Sequence, residues 1–300
     1  MTTQSETYLS QRPPVTPRKI KAGPPLSWIS GSLRLLRENW GVILPAYFLV
    51  ILAPVLAQVG LFSTISRSGF GTIVLIVAAI ILLTLLLNAG LIAMFHSVAE
   101  GRPRFSQVFA GFGGHSLLHI LLMVVLMAVA SLAMAGVGYW VFSVIDISSW
   151  MSGMGQYGGY MGPSSGGQSG MVWVVLAVVA GFAALTVFFA LFCYAIPLIV
   201  VSRQGAMNAT VNSFRASFKN LFVLMFFAVN ALAFSQLLFA PFILVSASSA
   251  SAIFITVMAF LVLFVSGAVI SGAYYLSFRD ILLADPLPAD EAEAGDAALA

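Results

Sequence analysis

The stretch Ala206 to Asn220, AMNATVNSFRASFKN, lies between two long apolar runs and decides how the rest of the chain is read. Its apolar residues Met207, Val211, Phe214 and Phe218 recur at i, i+4, i+7 and i+11, one stripe of an α-helix. Asn208, Asn212, Arg215 and Lys219 run beside them. Such a helix suits a membrane surface, with its oily stripe toward lipid and its basic stripe toward the headgroups.

The composition agrees. Of 300 residues, 60% are hydrophobic and 8% are charged, and the mean hydropathy is +1.03. A soluble domain carries about 25% charged residues, so this chain cannot build a water-facing surface. Six apolar runs follow one another at about 40–62, 72–95, 117–145, 171–201, 221–246 and 252–278. Each meets the roughly 20 residues needed to cross about 30 Å of hydrocarbon, and lipid forces each to be helical. Pro45, Pro54, Pro197 and Pro241 are expected to kink or unwind their helices.

The predicted fold class is all-α, a polytopic membrane protein. Its six transmembrane helices form three hairpins, each preceded by an amphipathic cytoplasmic surface helix. The six-helix domain spans 26–283, with a basic, proline-rich disordered tail over 1–25 and an acidic disordered tail over 284–300. Leu26, Ile29, Leu33 and Leu36 form the stripe of the first surface helix, and Phe105, Val108, Phe109 and Phe112 that of the second. Ser32-Leu33-Arg34 with Asn39 matches Ser213-Phe214-Arg215 with Asn220, and Ser116 aligns with the two asparagines. This is an internal repeat. Inside the middle copy, between its two spans, lies a loop at 148–170 containing eight glycines, three methionines and no charge, expected to be flexible.

Twelve of the thirteen Lys and Arg residues fall on one side of the six runs, and Arg67 alone on the other. By the positive-inside rule both termini are cytoplasmic. The same rule accounts for the pI near 9.2, so no nucleic-acid partner is expected. Cys193 is the single cysteine, which rules out an internal disulfide.

Gly101-Arg102-Pro103 followed by Phe109-Ala110-Gly111-Phe112, Ser213-Phe214-Arg215 with Asn220, and Tyr275 through Ile281 carry a resemblance over about 26–283. The chain resembles a family of uncharacterised proteobacterial six-span inner-membrane proteins, distantly similar to the membrane portion of some glycerophosphodiester phosphodiesterases. The resemblance implies a bacterial inner membrane and a six-helix fold. It supplies no activity and no catalytic residues, and the Gly/Met-rich loop departs from it.

Catalysis needs convergent titratable groups, and these are scarce. His96 and Glu100 stand at i, i+4, as do His115 and His119, so four ligands near the cytoplasmic face are available to a zinc ion if they converge. Met151, Met154 and Met161 are soft ligands of the Cu(I) type, but no His or Cys accompanies them. We expect no metal, no cofactor and no enzymatic activity. Within the runs the polar residues are Gln58, Asn88, Asn230 and Gln236, with assorted Ser and Thr and no charged residue mid-span, which argues against an ion-coupled pump.

Two classes of function remain. In the first, a basic cytoplasmic rim of Arg34, Arg37, Arg215 and Lys219 binds anionic lipid headgroups, a membrane-protein partner or a second copy of the chain. In the second, a transporter or flippase-like protein moves a neutral or lipid substrate through a cavity lined by Asn88, Asn230 and Gln236.

Overall fold

The computed structural model describes residues 15, 17–20, 25–65, 69–144, 167–246 and 252–283. Most of the Gly/Met-rich loop, with its three methionines, the acidic tail and most of residues 1–25 lie outside the described residues. In chain order the elements are α1 (Pro25–Ile65), α2 (Phe70–Ala99), a 3-10 helix (Phe105–Phe112), α3 (Gly114–Val144) and α4 (Gly167–Phe192). There follow α5 (Ala195–Val200), α6 (Ala206–Lys219), α7 (Leu221–Ser246), α8 (Ala252–Phe278) and a π-helical turn (Arg279–Leu283). No strand occurs among the described residues. Six helical stretches, with α4 and α5 counted as one, are long and apolar enough to cross a bilayer. The chain is a multi-pass membrane protein.

The first short segment and the first span form one 41-residue helix, α1, whose dihedrals break at Asn39 (φ −127°, ψ 28°). At Pro45 and Pro54, where kinks were expected, the backbone stays helical. Asn220, between α6 and α7, has nearly the same conformation as Asn39 (φ −116°, ψ 20°). The Gly101-Arg102 pair ends α2. Gly101 takes φ +70°, and its N–H donates to the Val98 carbonyl at 3.0 Å while the Arg102 N–H donates to Ser97 at 2.8 Å. A residue without a Cβ is favoured at this left-handed position.

The fourth span is broken at Cys193 and Tyr194, for two reasons that can be traced bond by bond. The Ser213 hydroxyl of α6 accepts the Tyr194 N–H at 2.9 Å and donates to the Ala190 carbonyl at 3.1 Å. Ala190 and Tyr194 are four apart, so one side chain has entered the helical ladder between its own donor and acceptor. Four residues after Cys193 comes Pro197, which has no N–H to offer the Cys193 carbonyl. The Tyr274 hydroxyl from α8 donates to that carbonyl instead. Both replacement donors come from outside the broken helix, so the break also joins α4 and α5 to α6 and α8.

The other short segments are seated similarly closely. The Ser32 hydroxyl donates to the Val269 carbonyl of α8 at 2.6 Å. The 3-10 helix meets α2 backbone to backbone: a Cβ on Gly90 would overlap the Val108 carbonyl, and one on Gly111 would overlap Leu86. Small residues permit such close approach where lipid supplies no hydrophobic drive between helices. Each short segment therefore lies against the membrane helix that precedes it, the first one taking α8, the last.

Burial is concentrated at this end of the bundle. Phe95, Tyr194, Tyr275 and Phe278 are fully buried, with Phe95 stacked on Tyr275 at 6.2 Å and Tyr194 on Tyr274 at 5.7 Å. The Tyr194 hydroxyl is 3.0 Å from that of Ser277. Farther along the helices, Val74 and Leu75 of α2, Leu132 and Val137 of α3, and Phe260 and Leu261 of α8 are exposed, as lipid-facing positions should be.

Replacing Tyr274→Phe orphans the Cys193 carbonyl and should cost about 1–2 kcal/mol of stability, read by unfolding in detergent. In a Pro197→Ala background, where position 197 regains an N–H, the same substitution should cost much less. Equal losses in both backgrounds would contradict the assignment.

Candidate functional site: a basic collar with a cavity beneath it

The three short segments turn different chemistry to the bundle and away from it. In α6 the buried face is Ala206, Ala209, Thr210, Ser213, Ala216 and Ser217, while Met207, Val211 and Phe218 are exposed. In the 3-10 helix Val108 and Gly111 are buried, whereas Phe105, Phe109 and Phe112 face out. At the start of α1, Trp28, Ile29 and Ser32 are buried, and Leu26 and Leu33 are exposed. The apolar stripe of the sequence is thus largely the outward face, except at Ile29 and Val108. The protein-facing side is mostly small or polar, which hydrophobic periodicity does not detect.

This seating places the basic residues. Ser32 and Ser213 are buried, and Arg34 and Arg215 follow each by two residues, about 200° around a helix. Anchoring the serine therefore drives the arginine to the opposite side. Arg34, Arg37, Arg215 and Lys219 are all exposed. Among the described residues neither Arg34, Arg37 nor Arg215 has an ion-pair partner. The Lys219 ammonium donates to the Pro17 carbonyl at 3.3 Å.

The histidines stand in separate pairs. His96 places Nδ1 at 3.0 Å from the Tyr275 hydroxyl and Nε2 at 3.2 Å from Glu100. His115 and His119 face each other on α3 with ring centroids 4.4 Å apart. Among the described residues no three His, Cys, Asp or Glu side chains gather as a metal site would require.

Beneath the collar, α2, α5 and α8 line a partly open cavity of about 220 Å³. Leu85, Leu91, Ile92, Phe95 and Ile196 supply apolar walls, and Asn88, Ser271 and Tyr274 the polar groups. The Asn88 amide donates to the Thr84 carbonyl of its own helix at 2.8 Å. Asn230 and Gln236 do not line this cavity: Asn230 donates to Phe226 on its own helix at 2.7 Å, and Gln236 is exposed.

Two residues that the sequence pattern did not single out tie the collar together. Trp28 donates its indole N–H to Asp280 in the π-helical turn at 2.7 Å and packs edge-on against Phe227 at 5.5 Å. Asp280 also lies 3.7 Å from Arg279. A lone Trp and a juxtamembrane Asp carry no periodic signal, so their pairing was not readable from the sequence. Compared with protein families, with characterised proteins and with solved structures, the chain matches none.

Proposed function

We propose that this chain is a non-enzymatic inner-membrane protein that binds anionic phospholipid headgroups at a cytoplasmic rim formed by Arg34, Arg37, Arg215 and Lys219. The observation that carries the reading is the repeated pairing of a buried serine with an outward arginine beside exposed apolar residues. Leu33 with Arg34, and Met207, Val211 and Phe218 with Arg215, present oil and cation on the same segment. An amphipathic surface helix binds a membrane in this way. A guanidinium without a protein partner is free to grip a phosphodiester bidentately, which an ammonium does less well. Each such charge contributes on the order of 1 kcal/mol toward anionic lipid.

On this reading the chain is built of three repeats, each a surface segment followed by a membrane hairpin, with both termini in the cytoplasm. The twelve-to-one distribution of Lys and Arg supports that orientation. The proposed family, proteobacterial six-span inner-membrane proteins distantly similar to the membrane portion of some glycerophosphodiester phosphodiesterases, rests on the short motifs quoted above. A second reading, passage of a neutral or lipid substrate, is favoured by the cavity at Asn88, Ser271 and Tyr274. Its walls are mostly apolar, which suits a ligand without charge.

Alkaline phosphatase inserted at Gly159, in the Gly/Met-rich loop, should be active, and fused after Leu283 inactive; the reverse pattern would overturn the orientation. For the rim, native mass spectrometry of Arg34→Gln/Arg215→Gln should show phosphatidylglycerol or cardiolipin retention lowered roughly thirtyfold. Unchanged retention with intact topology would reduce the arginines to markers of orientation.

A further inference from the structure

Residues 17–20 cross the end of α6 as an irregular segment held by its backbone. The Arg18 N–H donates to the Ile281 carbonyl of the π-helical turn at 3.0 Å. The Asn220 amide holds the segment from both of its ends: Nδ2 donates to the Arg18 carbonyl at 2.7 Å, and Oδ1 accepts the Ile20 N–H at 2.9 Å. Nδ2 also donates to Ala216 at 2.9 Å, within its own helix. Lys219 reaches the Pro17 carbonyl at 3.3 Å, and Val15 and Ile20 pack half-buried against the core. Asn220 is only 2% exposed. A buried amide with donor and acceptor both engaged makes a specific seat, because leaving either unmet is costly.

The chain contains its own control for this seat. Asn39 shares the backbone conformation of Asn220, and its Nδ2 makes the corresponding bond to its own helix, to Leu35 at 3.4 Å. Among the described residues the Asn39 amide holds nothing further. The additional bonds at Asn220 therefore serve the 17–20 segment rather than the end of the helix.

Seating has an electrostatic result. Ile20 packs half-buried against the core, while Arg18 and Lys19 before it are both exposed. Lys19 sits between the two residues whose backbones Asn220 grips, two residues after the Pro17 carbonyl that the Lys219 ammonium reaches. Arg215 lies one turn back along α6. Asp280, the carboxylate beside the seat among the described residues, is already engaged by Trp28 and Arg279.

We propose that the seated segment is part of a composite phosphate site in which Lys19 joins Lys219 and Arg215, and that its occupant is the phosphodiester headgroup of an anionic phospholipid. This deepens the reading of a lipid-binding rim and rests on it. A flexible tail would leave the Lys19 charge spread over the reach of the tail. Pinned at the collar, that charge is held where the exposed Met207, Val211 and Phe218 meet hydrocarbon.

The test uses the full chain and two kinds of variant, read by native mass spectrometry with phosphatidylglycerol. Lys19→Gln removes a charge and leaves the seat, and should lower retained lipid about fivefold. Asn220→Ala removes no charge but empties the seat; it should lower retention similarly and speed trypsin cleavage after Lys19. Retention unchanged in Lys19→Gln overturns the proposal, whether or not Asn220→Ala folds. So does faster cleavage in Asn220→Ala with lipid retained as before. If Lys19→Gln has no effect while Arg34→Gln/Arg215→Gln loses lipid, the rim reading stands and the composite site falls. If neither variant loses lipid, both fall. Displacement of the lipid by millimolar inorganic phosphate would assign the site to a free anion and overturn the lipid assignment.

Discussion

One hydroxyl standing in for a helical hydrogen bond sets much of this architecture. Ser213 accepts the Tyr194 N–H and donates its own O–H to the Ala190 carbonyl, so the fourth span bends without leaving either group unmet. A buried unmet backbone group costs about 1–3 kcal/mol in protein, and more in hydrocarbon, where water cannot help. The break therefore needs α6 in place, and α6 needs the break to seat its serine. The Pro197 defect completes the coupling, because the hydroxyl that answers it comes from Tyr274 on α8.

The same logic, polar or small groups inward and oil outward, runs through the other short segments. Ser32 on α8 and the glycine contacts of the 3-10 helix on α2 leave Leu26, Leu33, Phe105, Phe109 and Phe112 outside. In water this would be an inverted protein. In a bilayer it is the arrangement expected, since lipid tails reward apolar side chains on the outside as well as packing rewards them inside. The first segment closes against the last membrane helix, and Trp28 with Asp280 and Arg18 with Ile281 tie the two ends of the chain together. Basic side chains opposite the anchoring serines are left with no direction but outward.

Much of this was legible in residues alone, and the boundary is physical. Length and hydropathy suffice for the six membrane helices, and Pro197 marks a break that does occur. Pro45 and Pro54 look the same in sequence and cause no break in dihedrals; the difference at Pro197 is a neighbouring hydroxyl poised to accept the defect. Hydrophobic periodicity found the stripes of α6 and the 3-10 helix but not the faces that seat them, because alanine, serine and glycine carry no hydrophobic signal. Asn88 lines a cavity and Asn230 does not, a distinction set by which helices meet, and the His96–Glu100 and His115–His119 pairs belong to different surroundings for the same reason. The seat for residues 17–20 depends on a contact two hundred residues apart, Ile20 with Asn220, which no local pattern encodes.

The central claim is that α6 is anchored by its small, polar face with its apolar stripe in lipid. A nitroxide scan of residues 207–219 in lipid nanodiscs, comparing collisions with oxygen and with a water-soluble nickel chelate, tests it most directly. The account predicts high oxygen access at 207, 211 and 218, and little access to either reagent at 209, 213 and 216. Positions 209, 213 and 216 open to oxygen, with 207, 211 and 218 shielded, would contradict it.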